Sequence, residues 1–130
     1  MSRRILVLLG LAALAACTTG PIMLQQPRAV VFFTADSAGL DAPARTVIAN
    51  AAARANDSPG ATVRVLGFAA PDTGTAAFNR ILAQARAQAV ADGLVADGVP
   101  QRLVLIQSRG AVPYEQMPTE SRRVEILVGG

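Results

Sequence analysis

In this 130-residue chain, the residue types and spacings best suited to chemistry lie between Gly67 and Arg86. Gly67-Phe68-Ala69-Ala70-Pro71-Asp72-Thr73-Gly74 reads as the end of a strand and a loop, and Asn79 and Arg86 follow on a helical pattern. Asn79 and Arg86 are seven positions apart, close to two helical turns, so their side chains leave nearly the same face. A loop acid beside a helix start, with an arginine about two turns in, can hold a zwitterion. Asp72 would take an ammonium group and Arg86 would fork a carboxylate, while the helix N-terminus adds partial positive charge. An arginine at such a position is otherwise a solvated surface charge, in which case the face holds no ligand.

Enzymatic chemistry fails on inventory. With no histidine and no lysine in the chain, none of Ser37, Ser58, Ser108 and Ser121 has a base to activate it. Carboxylate pairs such as Asp92 with Asp97, or Glu115 with Glu120, fall on helix surface and loop, where they read as solvated charges. No phosphate-cradling glycine pattern is present, so no nucleotide cofactor is implied. One cysteine and no histidine rule out the usual zinc site and any disulfide within the chain.

The N-terminus gives that cysteine another use. Arg3 and Arg4 precede an apolar run from Ile5 to Ala16, the layout of a secretory signal. A membrane span needs about 20 apolar residues and this run offers about 12. Leu14-Ala15-Ala16-Cys17 resembles the bacterial lipobox, which makes residues 1–16 a signal peptide and Cys17 the lipid-bearing first residue of the exported protein. Thr18, not an aspartate, follows, which directs the anchor to the outer membrane with the domain facing the periplasm. Loss of Arg3 and Arg4 leaves ten of the 12 basic residues against 9 acidic ones, no footprint for nucleic acid. Residues 17–28 read as the lipidated N-terminus and linker, and 29–130 as one domain of ordinary size.

Within that domain, Ala29–Thr34 is a β-branched and aromatic run short enough for a strand buried on both faces. Leu40, Ala44, Val47, Ile48, Ala51, Ala52 and Ala55 recur at helical steps, with Asp41 as cap, Pro43 in the first turn and an end near Asn56. Ala61–Phe68 is a second strand. Thr75 opens a longer helix with an inner stripe of Phe78, Ile81, Leu82, Ala85 and Ala89, closed by Gly93 or Gly98. Arg102–Gln107 and Arg123–Val128 complete the strands. Arg122 and Arg123 are expected to pair structurally with Asp36 or Glu120. The order βαβαββ predicts an α+β two-layer sandwich, two helices packed on one mixed four-stranded sheet.

Several of these residues fall in one family's pattern. Val31 to Leu40 resembles the opening of OmpA-like domains, and Asn79-x-x-Leu82-x-x-x-Arg86-Ala87-x-x-Val90 resembles their central motif. Gly98-Val99, Gly110, Pro113 and Ser121-Arg122-Arg123-Val124-Glu125-Ile126 are similar to the closing residues. The resemblance spans about residues 29–128 and implies noncovalent peptidoglycan binding of the peptidoglycan-associated lipoprotein type. It implies that Asp72, Asn79 and Arg86 hold the diaminopimelate of the stem peptide, linking outer membrane to cell wall. The loop from Gly67 to Asn79 is one residue longer than the family's, so Pro71 stands at the acid position and Asp72 one residue late. Phe68 and Ser121 also depart from the pattern. Asp72 reaches the site through the longer loop, or else the domain is degenerate and serves as a protein-interaction module among envelope proteins.

Overall fold

A computed structural model describes residues 28–129, apart from Thr73. The expected signal peptide at 1–16, the expected lipid site Cys17 and the expected linker up to residue 27 lie outside the described residues. The elements are β1 (Arg28–Phe32), α1 (Ala42–Asn56), β2 (Val63–Ala69), α2 (Ala76–Ala96), β3 (Val104–Ala111) and β4 (Arg123–Val128), with short 3-10 turns at Gln101–Leu103 and Pro118–Ser121. The sheet order is β1-β4-β2-β3. β4 runs antiparallel to both β1 and β2, and β3 parallel to β2. β1, β2 and β3 therefore point the same way, and the loops that follow them gather with the start of β4 at one end of the sheet. This is the α+β two-layer architecture with two helices on a four-stranded mixed sheet.

Local chemistry sets the helix limits. Asp41 Oδ1 accepts from the Ala44 N–H (2.8 Å) and Thr75 Oγ1 from the Phe78 N–H (3.1 Å), so each residue caps its helix as its type suggests. α2 runs through Gly93 and stops where Gly98, at φ +100°, lets the Val99 N–H reach the Leu94 carbonyl (3.0 Å) and the Gly98 N–H the Val95 carbonyl (3.0 Å). Ile48, Val63, Val65, Val90, Leu94 and Ile126 form the centre of the core, each essentially buried. Burial of one such side chain contributes about 1.5 to 3 kcal/mol. Alanines let the layers approach closely: a Cβ at Gly67 would stand 2.1 Å from the Ala83 carbonyl oxygen, so α2 lies directly on the β2 backbone there.

Three expectations change. β1 is an edge strand with one buried face, because Val31 points into the core while Phe32 is 52% exposed. The third strand starts at Val104, after a 3-10 turn, and extends to Ala111. The inner stripe of α2 is rotated from the predicted one: Asn79, Leu82, Ala83, Arg86, Ala87, Val90, Ala91 and Leu94 are buried, while Phe78 and Ala85 are exposed and Ile81 is 69% exposed. Alanine adds little to a hydrophobic pattern, so the two bulky residues pulled the predicted face toward themselves. Small side chains are what the close approach at Gly67 demands instead. No helix among the described residues is long and apolar enough to cross a membrane.

Candidate ligand site

Arg86 organises the loop end. It projects from the buried face of α2 and is 1% exposed. Its Nε–H donates to the Ser37 carbonyl (2.8 Å), Nη2 to the Thr34 carbonyl (3.0 Å) and Nη1 to the Phe68 carbonyl (3.2 Å). The Phe33 ring lies against the guanidinium, 5.4 Å from its carbon to the ring centre. Three of the five N–H donors of the group are thus spent on main-chain oxygens. They bind the β1–α1 loop to the end of β2. Burial, and next the nearby charge of Arg122, push its pKa down to about 10, with Asp36 pulling it back up, so the group stays cationic at neutral pH. The loop folds around this cation with Asp36 in the left-handed region at φ 50° and the Ser37 hydroxyl oxygen accepting from the Gly39 N–H (3.0 Å).

Asp72 lies in the loop between β2 and α2 and makes no contact with Arg86. Its carboxylate is paired to Arg122, with 3.5 Å between Oδ2 and Nη2. Both side chains are part-exposed, at 32% and 17%. The next turn into α2 requires Gly74, which has φ +70° and no room for a side chain: a Cβ would stand 2.5 Å from the Phe78 ring. Asn79 is 2% exposed at the start of α2, and its Oδ1 has no hydrogen-bond partner among the described residues. A buried acceptor left unpaired costs about 1 to 3 kcal/mol, which a ligand N–H reaching it would recover.

The loop before β4 brings Arg122 into position. Glu120 accepts from the main-chain N–H groups of Glu115 (3.1 Å), Gln116 (3.2 Å) and Met117 (3.0 Å), which hold its carboxyl below the usual range, the Glu115 bond most of all. The buried Ser121 hydroxyl donates to the Pro113 carbonyl (3.1 Å) and ties the two ends of the loop. A cleft of about 380 Å³ opens beside it, lined by Phe32, Phe33, Thr34, Thr119 and Arg122 among others.

Asp72, Asn79 and Arg86 thus belong to α2 and the loop that enters it, and Arg122 joins them by pairing with Asp72 and acting on Arg86 electrostatically. The pairings expected of the arginine doublet differ. Arg122 takes Asp72, and Arg123 takes Glu125 (3.0 Å) while donating to the Glu120 main-chain carbonyl (2.7 Å) and covering the Phe68 ring at 4.3 Å. Glu125 is shared with Arg28 (3.2 Å), so Arg123 belongs to the outer face of the sheet and Arg122 to the site. Of the carboxylates weighed above as catalytic pairs, Glu120 is committed to the loop backbone and Asp92 accepts from Gln88 (2.8 Å) one helical turn away. No group of three or more metal-ligating side chains occurs among the described residues. Two guanidinium groups, a partly open carboxylate and an orphan amide oxygen suit a small group carrying both charges.

The fold is that of an OmpA-like domain. The chain belongs to the OmpA family, whose model matches residues 32–125; the family is not one of enzymes. A segment of 101 residues is 37% identical to Outer membrane protein 40 of Porphyromonas gingivalis, covering 76% of this chain and 25% of that protein, so the chain spans about a quarter of that relative's length. The fold is similar to the crystal structure of the peptidoglycan-associated lipoprotein from Burkholderia pseudomallei, with TM-score 0.70, 21% identity and coverage of 80% of this chain and 90% of that one. It is also similar to the OmpA-like domain of FopA1 from Francisella tularensis (TM-score 0.69, 24% identity, 78% and 73% covered). The C-terminal domain of Helicobacter pylori MotB is a third such likeness (TM-score 0.68, 24% identity, 76% and 81% covered).

Proposed function

We propose that this chain is an outer-membrane lipoprotein whose periplasmic domain binds peptidoglycan noncovalently, through the diaminopimelate of the stem peptide. Residues 1–16 direct export, and lipid on Cys17 holds the domain to the membrane. The domain acts by binding, without turnover and without a cofactor. The observation that carries this is the ion pair of Asp72 with Arg122, whose charge also acts on buried Arg86, together with the unpaired Oδ1 of buried Asn79. In this arrangement Asp72 receives the ammonium group, and the two uncommitted N–H groups of Arg86 help to fix the carboxylate.

Cosedimentation with purified sacculi tests the proposal. Wild type pellets with the sacculi, and Asp72→Asn, which alters an exposed side chain, stays largely in the supernatant. Wild-type protein that remains in the supernatant overturns it. One observation favours a second reading, a protein-interaction module without wall binding: Arg86 is held by three main-chain carbonyls, a complete structural role in itself. That module would crosslink to envelope proteins in cells and leave sacculi unbound.

A further inference from the structure

At the end of the sheet where β1 begins, the outer face carries one row of side chains across all four strands. Arg28 of β1 stands beside Leu127 of β4, Leu127 beside Arg64 of β2, and Arg64 beside Leu105 of β3. Their strand neighbours Ala29, Val63, Ile126, Val104 and Ile106 pack into the core under the helices, so the row faces the other way. Adjacent strands lie about 4.8 Å apart, which sets the two arginines about 10 Å from each other. Leu127 is buried with Leu66 and Phe68, but Leu105 is 46% exposed. Arg102 stands exposed in the turn just before β3, beside a hollow of about 210 Å³ lined also by Asn56, Pro59, Gly98 and Pro100. Among the described residues neither Arg64 nor Arg102 has a carboxylate within ion-pair distance, and Arg28 holds only Glu125, at 3.2 Å, with its own side chain 52% exposed. Arg54 adds a fourth cation from the last turn of α1. The acids of this end, Asp57 and Asp97, stand at the C-caps of α1 and α2, in the other layer.

We propose that this row and Arg102 form a membrane-contact surface: the arginines take the phosphates of anionic phospholipids, and Leu105 enters the apolar edge of the headgroup layer. The inference rests on the lipid anchor proposed above and adds a second hold of the domain on the same leaflet. Cys17 and Arg28 are 11 positions apart, at most about 40 Å when extended, and the chain joins the sheet at this end because β1 begins with Arg28. The face nearest the membrane is therefore the one with unpaired arginines. A guanidinium forks a phosphate while its stem lies along apolar surface, which suits arginines alternating with leucines. Each basic group close to an anionic leaflet strengthens binding about fivefold. A domain held in this way turns Asp72 and Arg86, at the opposite end of the sheet, away from the membrane.

The test uses the lipid-modified chain in two kinds of vesicle, phosphatidylcholine alone and phosphatidylcholine with phosphatidylglycerol in equal parts. Cys17 is consumed by the lipid, so Gln101→Cys, at an exposed position of the turn, takes a fluorophore alone, and a lipid spin-labelled at its headgroup quenches it on contact. Quenching is expected to be at least about threefold stronger on the anionic vesicles, and the difference to vanish in about 1 M salt. Arg64→Gln with Arg102→Gln is expected to remove most of that difference, each change lowering the ratio of docked to free domain about fivefold, with an unchanged circular dichroism spectrum. Arg102→Gln alone, at an exposed side chain with no hydrogen bond or ion pair among the described residues, carries the test should the double variant not fold. Equal quenching on both vesicles, or a difference that these variants keep, overturns the membrane contact and leaves the anchor standing. If mass spectrometry finds no lipid on Cys17 and the chain does not enter vesicles, the anchor falls and this inference with it.

Discussion

Around Arg86 the β1–α1 loop and the end of β2 are joined through a buried guanidinium, whereas the β2–α2 loop meets the loop before β4 through a part-exposed ion pair. The same functional group does both jobs. Sealed among carbonyls, it has two donors to spare and a fixed position. Part-exposed beside one carboxylate, it keeps its reach, and opening the pair costs about 1 kcal/mol or less. One wall of the proposed site is therefore part of the fold, and the other is held by a contact that opens easily.

The largest effect separating the two walls is on stability. Arg86→Ala leaves three main-chain carbonyls, that of Phe68 fully buried, without their donor and a void beneath Phe33, and urea unfolding should show a loss of about 3 to 5 kcal/mol. A loss under about 1 kcal/mol breaks the contrast, since Arg86 would then behave as an exposed charge. Asp72→Asn should do the reverse. Its binding to sacculi falls by about 1.5 to 3 kcal/mol while its unfolding free energy moves by less than about 1 kcal/mol. Thr75→Ala tests whether the entry to α2 depends on its cap, with an expected loss of about 1 kcal/mol in the same unfolding measurement.

The smallest effect concerns the loop that carries Arg122. The Glu120 carboxyl is held below its usual value of 4.5, so its charged form supports the loop above that pH, and the support is lost as pH falls through the lowered value. Tyr114, the single tyrosine in a chain without tryptophan, lies in this loop. Its fluorescence should be flat from about pH 7 to 5 and change below, with the step absent in Glu120→Gln. A step in wild type that begins above pH 5 would point to some other group.

The sequence exposed the parts of the molecule that rest on local chemistry. Asp41 and Thr75 cap the helices because an oxygen three residues before an open N–H does so in any context. The buried stripe of α1 was readable because Ile48, with half-buried Val47 beside it, stands out among its alanines. In α2 the bulky residues misled: Phe78 and Ile81 face solvent, and the buried face contains Asn79 and Arg86. An arginine enters a core when main-chain oxygens from distant loops converge on it, and those of Thr34 and Ser37 are 52 and 49 positions away. The resemblance singled out Arg86 and Asn79, but the partner of Asp72 depended on how the loop before β4 folds back. The doublet Arg122-Arg123 was the available signal, and only the strand register shows that its two members serve different faces.

The orientation of β1 has a mechanical consequence. Residue 28 begins β1 at one end of the sheet, and the Arg86 clamp and Asp72 lie at the other. With the lipid anchor and the ligand site proposed above, a pull between the N-terminus and the ligand runs along the strand, across hydrogen bonds that lie perpendicular to it. The whole β1–β4 ladder is then loaded in shear, its bonds sharing the force instead of parting one by one. At the far end Arg86 grips Thr34 and Ser37, so the strand cannot slide without first drawing a buried cation out of its cage.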